Sequence, residues 1–319
     1  VEGTWILVPL GADGEPLPIL TPEEAAAKKA AVDLYNAGAQ AFNAGDLELA
    51  AAKFDAALAQ DPDLVEAYEI AAALNEKLEN YDRAIELADN ILGREPENAR
   101  ALSVRYDSLN ALGDAAKTDA ALDTLIASAP SEDTARRVYN RGLAHAKSGD
   151  VEGSIPRLQQ AVALAPDLAP AWGLLGDLEI ARGDYQRAIE CGDRLLEIEG
   201  SAERGLSLRH RAFEAMGDEA AAAEALKALA ALTPDAVMHS LFERGNDLFD
   251  HNEPEAAAKI YRQVLDLEPD NAQAHYKLGL ALLSAEDTAG ARSHLERFLE
   301  LAPDDPEAQS ARDMLSYLK

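Results

Sequence analysis

The sequence predicts an all-α fold, an array of antiparallel helix pairs, and three observations carry that expectation. Apolar residues make up 48% of the 319-residue chain but aromatics only 5%, so the interior must be built mainly from Ala and Leu, which favour helix. Gly-Asp occurs at 45–46, 113–114, 149–150, 183–184 and 217–218, with spacings of 68, 36, 34 and 34. Pro62, Pro96, Pro130, Pro166, Pro234, Pro269 and Pro303 keep the same rhythm. Two independent markers with one period define an internal repeat. Another Gly-Asp, Gly192-Asp193, is out of phase.

Taken in order, the first 20 residues stand apart from the rest. Thr4, Trp5, Ile6, Leu7 and Val8 form an uncharged, β-branched and aromatic run, followed by a Pro-rich linker to residue 20. A lone strand leaves its backbone unpaired, so this segment is expected to serve assembly, by pairing with a preceding domain or with a second subunit; the alternatives are a flexible tail or a segment lying over the first repeat. The first residue is Val rather than Met, as expected of a processed or partial product. Thr21-Pro22-Glu23-Glu24 then reads as a capping box with Pro at the first helical position, starting a helix that runs to about residue 44.

Residues 21–305 divide into eight units, at 31–64, 65–98, 99–132, 135–168, 169–202, 203–236, 238–271 and 272–305. Each is expected to be a helix, a turn at Gly-Asp, a second helix and a proline-marked turn, because Gly accepts the left-handed conformation that closes a helix and Pro halts the one before it. Asp63, Glu97, Asp167, Asp235, Asp270 and Asp304 follow the prolines and are expected to cap the next helix. Residues 306–319 read as a closing helix that turns Ala308, Ala311, Leu315 and Leu318 to the array, since a terminal repeat lacks a neighbour.

At this point a family resemblance is clear. The fifth unit carries Trp172, Leu175 and Gly176 as Trp-x-x-Leu-Gly, then Tyr185 and Ala188, and in this it resembles a tetratricopeptide repeat protein of bacterial type. The resemblance covers about six-sevenths of the chain and implies a right-handed superhelical solenoid. It also implies close helix crossings at Gly38, Gly142, Gly176, Gly245 and Gly279. The third and sixth units place Tyr106 and His210 at that position instead. The first segment with its linker resembles the last strand of immunoglobulin-like domains that precede such arrays in some secreted bacterial proteins, which favours an extracytoplasmic or secreted setting over a cytoplasmic one.

Composition excludes several functions. The net charge of −29 would repel a phosphate backbone, so no nucleic-acid ligand is expected. No run approaches 18 apolar residues, so no membrane insertion is expected. A single cysteine, Cys191, rules out an intramolecular disulfide and a Cys-based zinc site. There is no phosphate-binding glycine loop and no metal-binding His pair at helical spacing. His239 and His275, on first helices of adjacent units, read as surface imidazoles. No cofactor, metal or catalytic residue is expected.

What remains is binding. The family resemblance implies that the second, fifth, ninth, twelfth and thirteenth residues of each unit face a concave groove. That assigns Arg100, Arg136, Tyr139, Lys147, Arg204 and Arg211 to a basic central stripe, with Glu66, Asp107, Asp177 and Glu214 near enough to neutralise it. It assigns Phe242, Asn246, Phe249, Tyr276, Leu280 and Leu283 to an apolar C-terminal groove suited to a peptide, unless neighbouring helices cover them. The expected function is a non-enzymatic scaffold that binds a protein or peptide partner along this groove. The alternative is a structural subunit that polymerises end to end through its first segment and terminal helices.

Overall fold

The computed structural model describes residues 20–318, and among them there are seventeen α-helices and no strand. Thr4, Trp5, Ile6, Leu7 and Val8 lie outside the described residues. The chain divides into two compact units at Val138/Tyr139. The first contains α1 (Pro22–Asn43), α2 (Leu47–Gln60), α3 (Val65–Lys77), α4 (Tyr81–Arg94), α5 (Ala99–Leu112) and α6 (Ala115–Ser128). Helix α7 (Glu132–Lys147) carries the boundary. The second contains α8 (Val151–Leu164), α9 (Ala169–Arg182), α10 (Tyr185–Glu197), α11 (Ala202–Met216), α12 (Glu219–Leu232), α13 (Pro234–Asp250), α14 (Pro254–Leu267), α15 (Ala272–Ser284), α16 (Thr288–Leu301) and α17 (Ala308–Tyr317). Within each unit, consecutive helices pack on one another in the manner of a tetratricopeptide array.

The ends of these helices follow from local chemistry. Thr21 accepts a hydrogen bond from the Glu24 amide while the Glu24 carboxylate accepts one from the Thr21 amide at 2.7 Å, so the capping box is complete. At the Gly-Asp turns Gly45, Gly113, Gly149, Gly183 and Gly217 all have positive φ. Glu79, Asn252 and Glu286 make the same left-handed turn without glycine, at φ 62°, 63° and 65°.

The capping expectation needs correction. Asp46, Asp114, Asp150, Asp184, Asp218 and Asp287 each accept from an amide three residues on, so the aspartate of the turn caps the second helix in six of the pairs. The acids after the prolines do not cap. Asp63, Glu97, Asp167, Asp270 and Asp304 sit within the turns, ahead of the N-cap position. Asn98 and Asn271 cap α5 and α15 instead. Asp235 lies in the first turn of α13, where it meets only the helix dipole.

Packing repeats with the chain. In the first unit Phe54 is 1% exposed and meets the Tyr35 ring edge-on at 5.3 Å. Asp55 on α2 takes two hydrogen bonds from Arg83 on α4, at 2.9 and 2.8 Å, and one from the buried Asn75 on α3, so one carboxylate ties three helices. Tyr106 stays buried where glycine is usual, its hydroxyl donating to the Arg137 carbonyl. His210 does likewise, its Nδ1 bonded to the Ala222 carbonyl at 3.1 Å. The out-of-phase Gly192 has its own cause. It lies in α10, where a side chain would meet the Gly205 carbonyl of α11 at 3.0 Å, so two backbones nearly touch there.

At the end of the second unit, α17 packs Ala308 and Ala311, with Met314, Leu315 and Leu318, against a cluster of Tyr276, Leu295 and Phe298. Burying that apolar row shields α16 from water.

Candidate functional site

Two local features of the second unit open a cleft. Most helix pairs are joined by four residues, as at 61–64, 95–98, 165–168 and 268–271. Between α12 and α13 there is one, Thr233, which ends one helix and begins the next. Pro234 there occupies the first helical turn, and α13 extends to 17 residues, against 15 for α11 and 13 for α15. The second feature is side-chain size: Ala215, Ala236 and Ala256 border the space, and alanines do not fill what larger side chains fill elsewhere.

The result is a cleft of about 810 Å³ lined from both α11 and α13. Its floor is apolar, with Leu226 and Leu229 from α12, Val237 and Leu241 from α13 and Ile260 from α14. Its walls carry Ser207, Arg211 and Glu214 on α11, and Ser240 and Arg244 on α13. A second hollow of about 720 Å³ lies between α12 and α14, and Glu214, Leu226 and Lys259 border both.

Ion pairs span the gap. Arg244 bonds Glu214 at 3.1 Å across α13 and α11, and Lys259 bonds Glu219 at 2.9 Å across α14 and α12. The Lys259 hydrogen bond holds the Glu219 carboxyl below its usual range. On α9, Asp177 accepts from Arg211 at 2.6 Å and also from Arg204, so two guanidiniums share one carboxylate. Exposed pairs of this kind contribute little to stability, and their main effect is to set local charge.

The residues expected from sequence distribute as follows. Arg100 is exposed, 4.0 Å from Glu69, and Arg136 pairs with Glu132 and Asp133 of its own helix; both lie in the first unit. In the second unit Lys147 is exposed at the end of α7, and Tyr139 lines a separate hollow of about 370 Å³ with Arg204 and Asp177. Of the basic set, only Arg211 borders the large cleft, and Asp177 ties Arg204 to it.

All six residues of the apolar set have internal partners. The Phe242 ring lies 6.3 Å from that of Tyr261, Asn246 accepts the Tyr261 hydroxyl at 2.9 Å, and Phe249 and Leu283 pack on the cluster around Tyr261. Tyr276 is 8% exposed, stacks 4.9 Å from Phe298 and donates to Glu307 at 2.9 Å, while Leu280 packs on the same cluster. The cleft residues Ser207, Leu226, Leu229, Ser240, Arg244 and Lys259 were not among those expected. Their signal was the shortened link at Thr233.

His239 is exposed as expected, but His275 is no surface imidazole: it is 8% exposed and paired with His294. Its Nε2–H donates to the Pro269 carbonyl at 3.0 Å, which leaves Nδ1 as an acceptor for the Nδ1–H of His294 at 2.9 Å. Burial, then His275 and Arg262, push the His294 pKa below its ordinary value near 6.5, against the opposing pull of Asp287. A histidine depressed in the folded state binds its proton more readily unfolded, so stability is full above about pH 6.5 and falls as pH drops toward the folded value. Thermal unfolding is expected to shift downward between pH 7.5 and 5, and His294→Gln is expected to flatten that dependence. Cys191 is 3% exposed, and burial, aided by Glu179, pushes its thiol up to about 12, so it is a packing residue and not a nucleophile.

A tetratricopeptide repeat family model matches residues 35–99, 139–203 and 242–306, together more than half of the chain, and the chain belongs to that family. No curated protein matches the sequence. Similar solved structures include the MamA RS-1 ArsTM double mutant, 24% identical over 53% of this chain and 94% of that one, with a TM-score of 0.42. PilF from Pseudomonas aeruginosa is 20% identical over 69% and 98%, TM-score 0.40, and a tetratricopeptide repeat protein from Parabacteroides merdae is 14% identical over 91% and 99%, TM-score 0.30. A tetratricopeptide fold is in general a protein–protein interaction scaffold, and such proteins are typically non-catalytic. No described helix is long and apolar enough to cross a membrane.

Proposed function

We propose that this protein is a scaffold that binds a segment of a partner protein, and that the partner seats in the cleft between α11 and α13. The observation that carries the reading is the cleft itself: an apolar floor of Leu226, Leu229, Leu241 and Ile260 under walls of ion-paired side chains. Binding sites for protein anchors are built this way, with a dry centre and a polar rim. In the first unit a smaller hollow, of about 450 Å³, lies beside Phe42 and Ile70. In this reading the helix pairs are eight repeats, α17 closes the array, and the basic residues Arg204 and Arg211 form one edge of the site. The test is Ser240→Trp, which fills the cleft from an exposed position. Undiminished capture of a cognate partner by that variant would sink the reading.

A further inference from the structure

We propose that His275 and His294 form a proton-sensitive latch, which holds the α15–α16 pair closed at neutral pH and releases it locally in mild acid. His275 lies on α15 and His294 on α16, with Nδ1 facing Nδ1 at 2.9 Å and ring centroids 5.2 Å apart. The other nitrogen of His275 reaches back to the Pro269 carbonyl at 3.0 Å, in the turn that precedes α15. Two imidazoles thus tie three consecutive pieces of the chain together. His275 is buried and His294 half-buried, so water does not readily replace these bonds.

A count of protons shows what acid does to the pair. A carbonyl only accepts, so Nε2 of His275 carries a hydrogen, and a single hydrogen lies between the facing Nδ1 atoms. The neutral pair is then complete. One further proton can enter without breaking either bond, at Nε2 of His294. A second would have to enter between the Nδ1 atoms, setting two N–H groups against each other. Separated rings take one proton each below about pH 6.5. The open state therefore binds at least one proton more than the closed state, and falling pH favours opening. Burial disfavours even the first charge on His294, as do His275 and Arg262 of α14, while Asp287 at the start of α16 favours it. Asp287 is itself committed to the Gly290 amide at 2.9 Å, and α17 meets α16 through apolar side chains.

Position keeps the opening local. The α15–α16 pair has α14 on one side and the ten-residue α17 on the other, and in a linear array such a pair opens without unfolding distant repeats. Opening uncovers Leu278 and Leu295, both 0% exposed when the pair is closed.

The experiment is amide hydrogen exchange of the full chain, corrected for the intrinsic rate at each pH. One extra proton per opening lowers protection in α15 and α16 about ten-fold between about pH 7.5 and 5.5, with α9 to α11 unchanged. His294→Gln is expected to abolish that response, because an amide offers its N–H to a neutral ring and its carbonyl to a charged one. Nitrogen NMR of the wild-type imidazoles gives a readout that does not depend on the variant's folding: the hydrogen is expected on Nδ1 of His294 and on Nε2 of His275 at neutral pH. An equal loss of protection along the whole array, an acid response retained in His294→Gln, or two rings both protonated at Nε2 and titrating independently would each overturn the latch.

Discussion

Replacing Tyr261 with alanine is expected to lower stability by about 3 to 5 kcal/mol, the range for removing a fully buried aromatic ring. Tyr261 is 0% exposed, fits against Gly245, and is fixed by its bond to Asn246. A side chain at Gly245 would stand 2.6 Å from Cε1 and 2.9 Å from Cζ of that ring. Gly245→Ala alone is therefore expected to destabilise, because overpacking costs about 1 to 3 kcal/mol while alanine's helix propensity returns about 1 kcal/mol. With Tyr261→Ala already present the ring is gone, and the same substitution is expected to stabilise by about 1 kcal/mol. Denaturant titration of the four proteins completes the cycle. The same sign for Gly245→Ala in both backgrounds would contradict the packing described. Hydrogen exchange should rise chiefly in α13 to α16, since each helix pair touches only its neighbours.

The second large effect concerns binding. Ser240→Trp places an indole over the apolar floor of the cleft, and loss of a central anchor contact typically costs 2 kcal/mol or more, so affinity for a cognate partner is expected to fall about thirty-fold or further. Ser240 is exposed, so the fold should be undisturbed. His239→Trp is the control. It adds the same indole at an exposed residue of the same helix that does not line the cleft, and binding should be unchanged. Equal losses in both variants would indicate a general effect of the indole on α13.

The period of the array was legible because Gly-Asp and Pro mark turns whose geometry only a few residues accept. What the markers mean was less legible. Pro62, Pro96 and Pro166 stand within four-residue turns, whereas Pro234 is the first residue of a helix, and proline suits both positions. The shortened link at Thr233, and the cleft it opens, were therefore hidden behind a residue that seemed to repeat. Glu79, Asn252 and Glu286 show the converse, turns made without the glycine that would announce them. Repeat position indicates which face of a helix a residue takes, but not whether a later helix covers it. Tyr276 is covered by Phe298 and Glu307 for that reason, and Phe242 by Tyr261. Arg211 was found because it lies on the first helix of its pair; Leu226 and Lys259 were not, because they reach the cleft from second helices.

The most direct measurement is hydrogen–deuterium exchange of the full chain with and without a cognate partner. The account predicts protection gathered on residues 203–215 and 234–248, the two walls of the cleft, with little change in α3 and α5. Protection confined to those first-unit helices, or to the region between Phe249 and Tyr276, with the two walls unaltered, would contradict it.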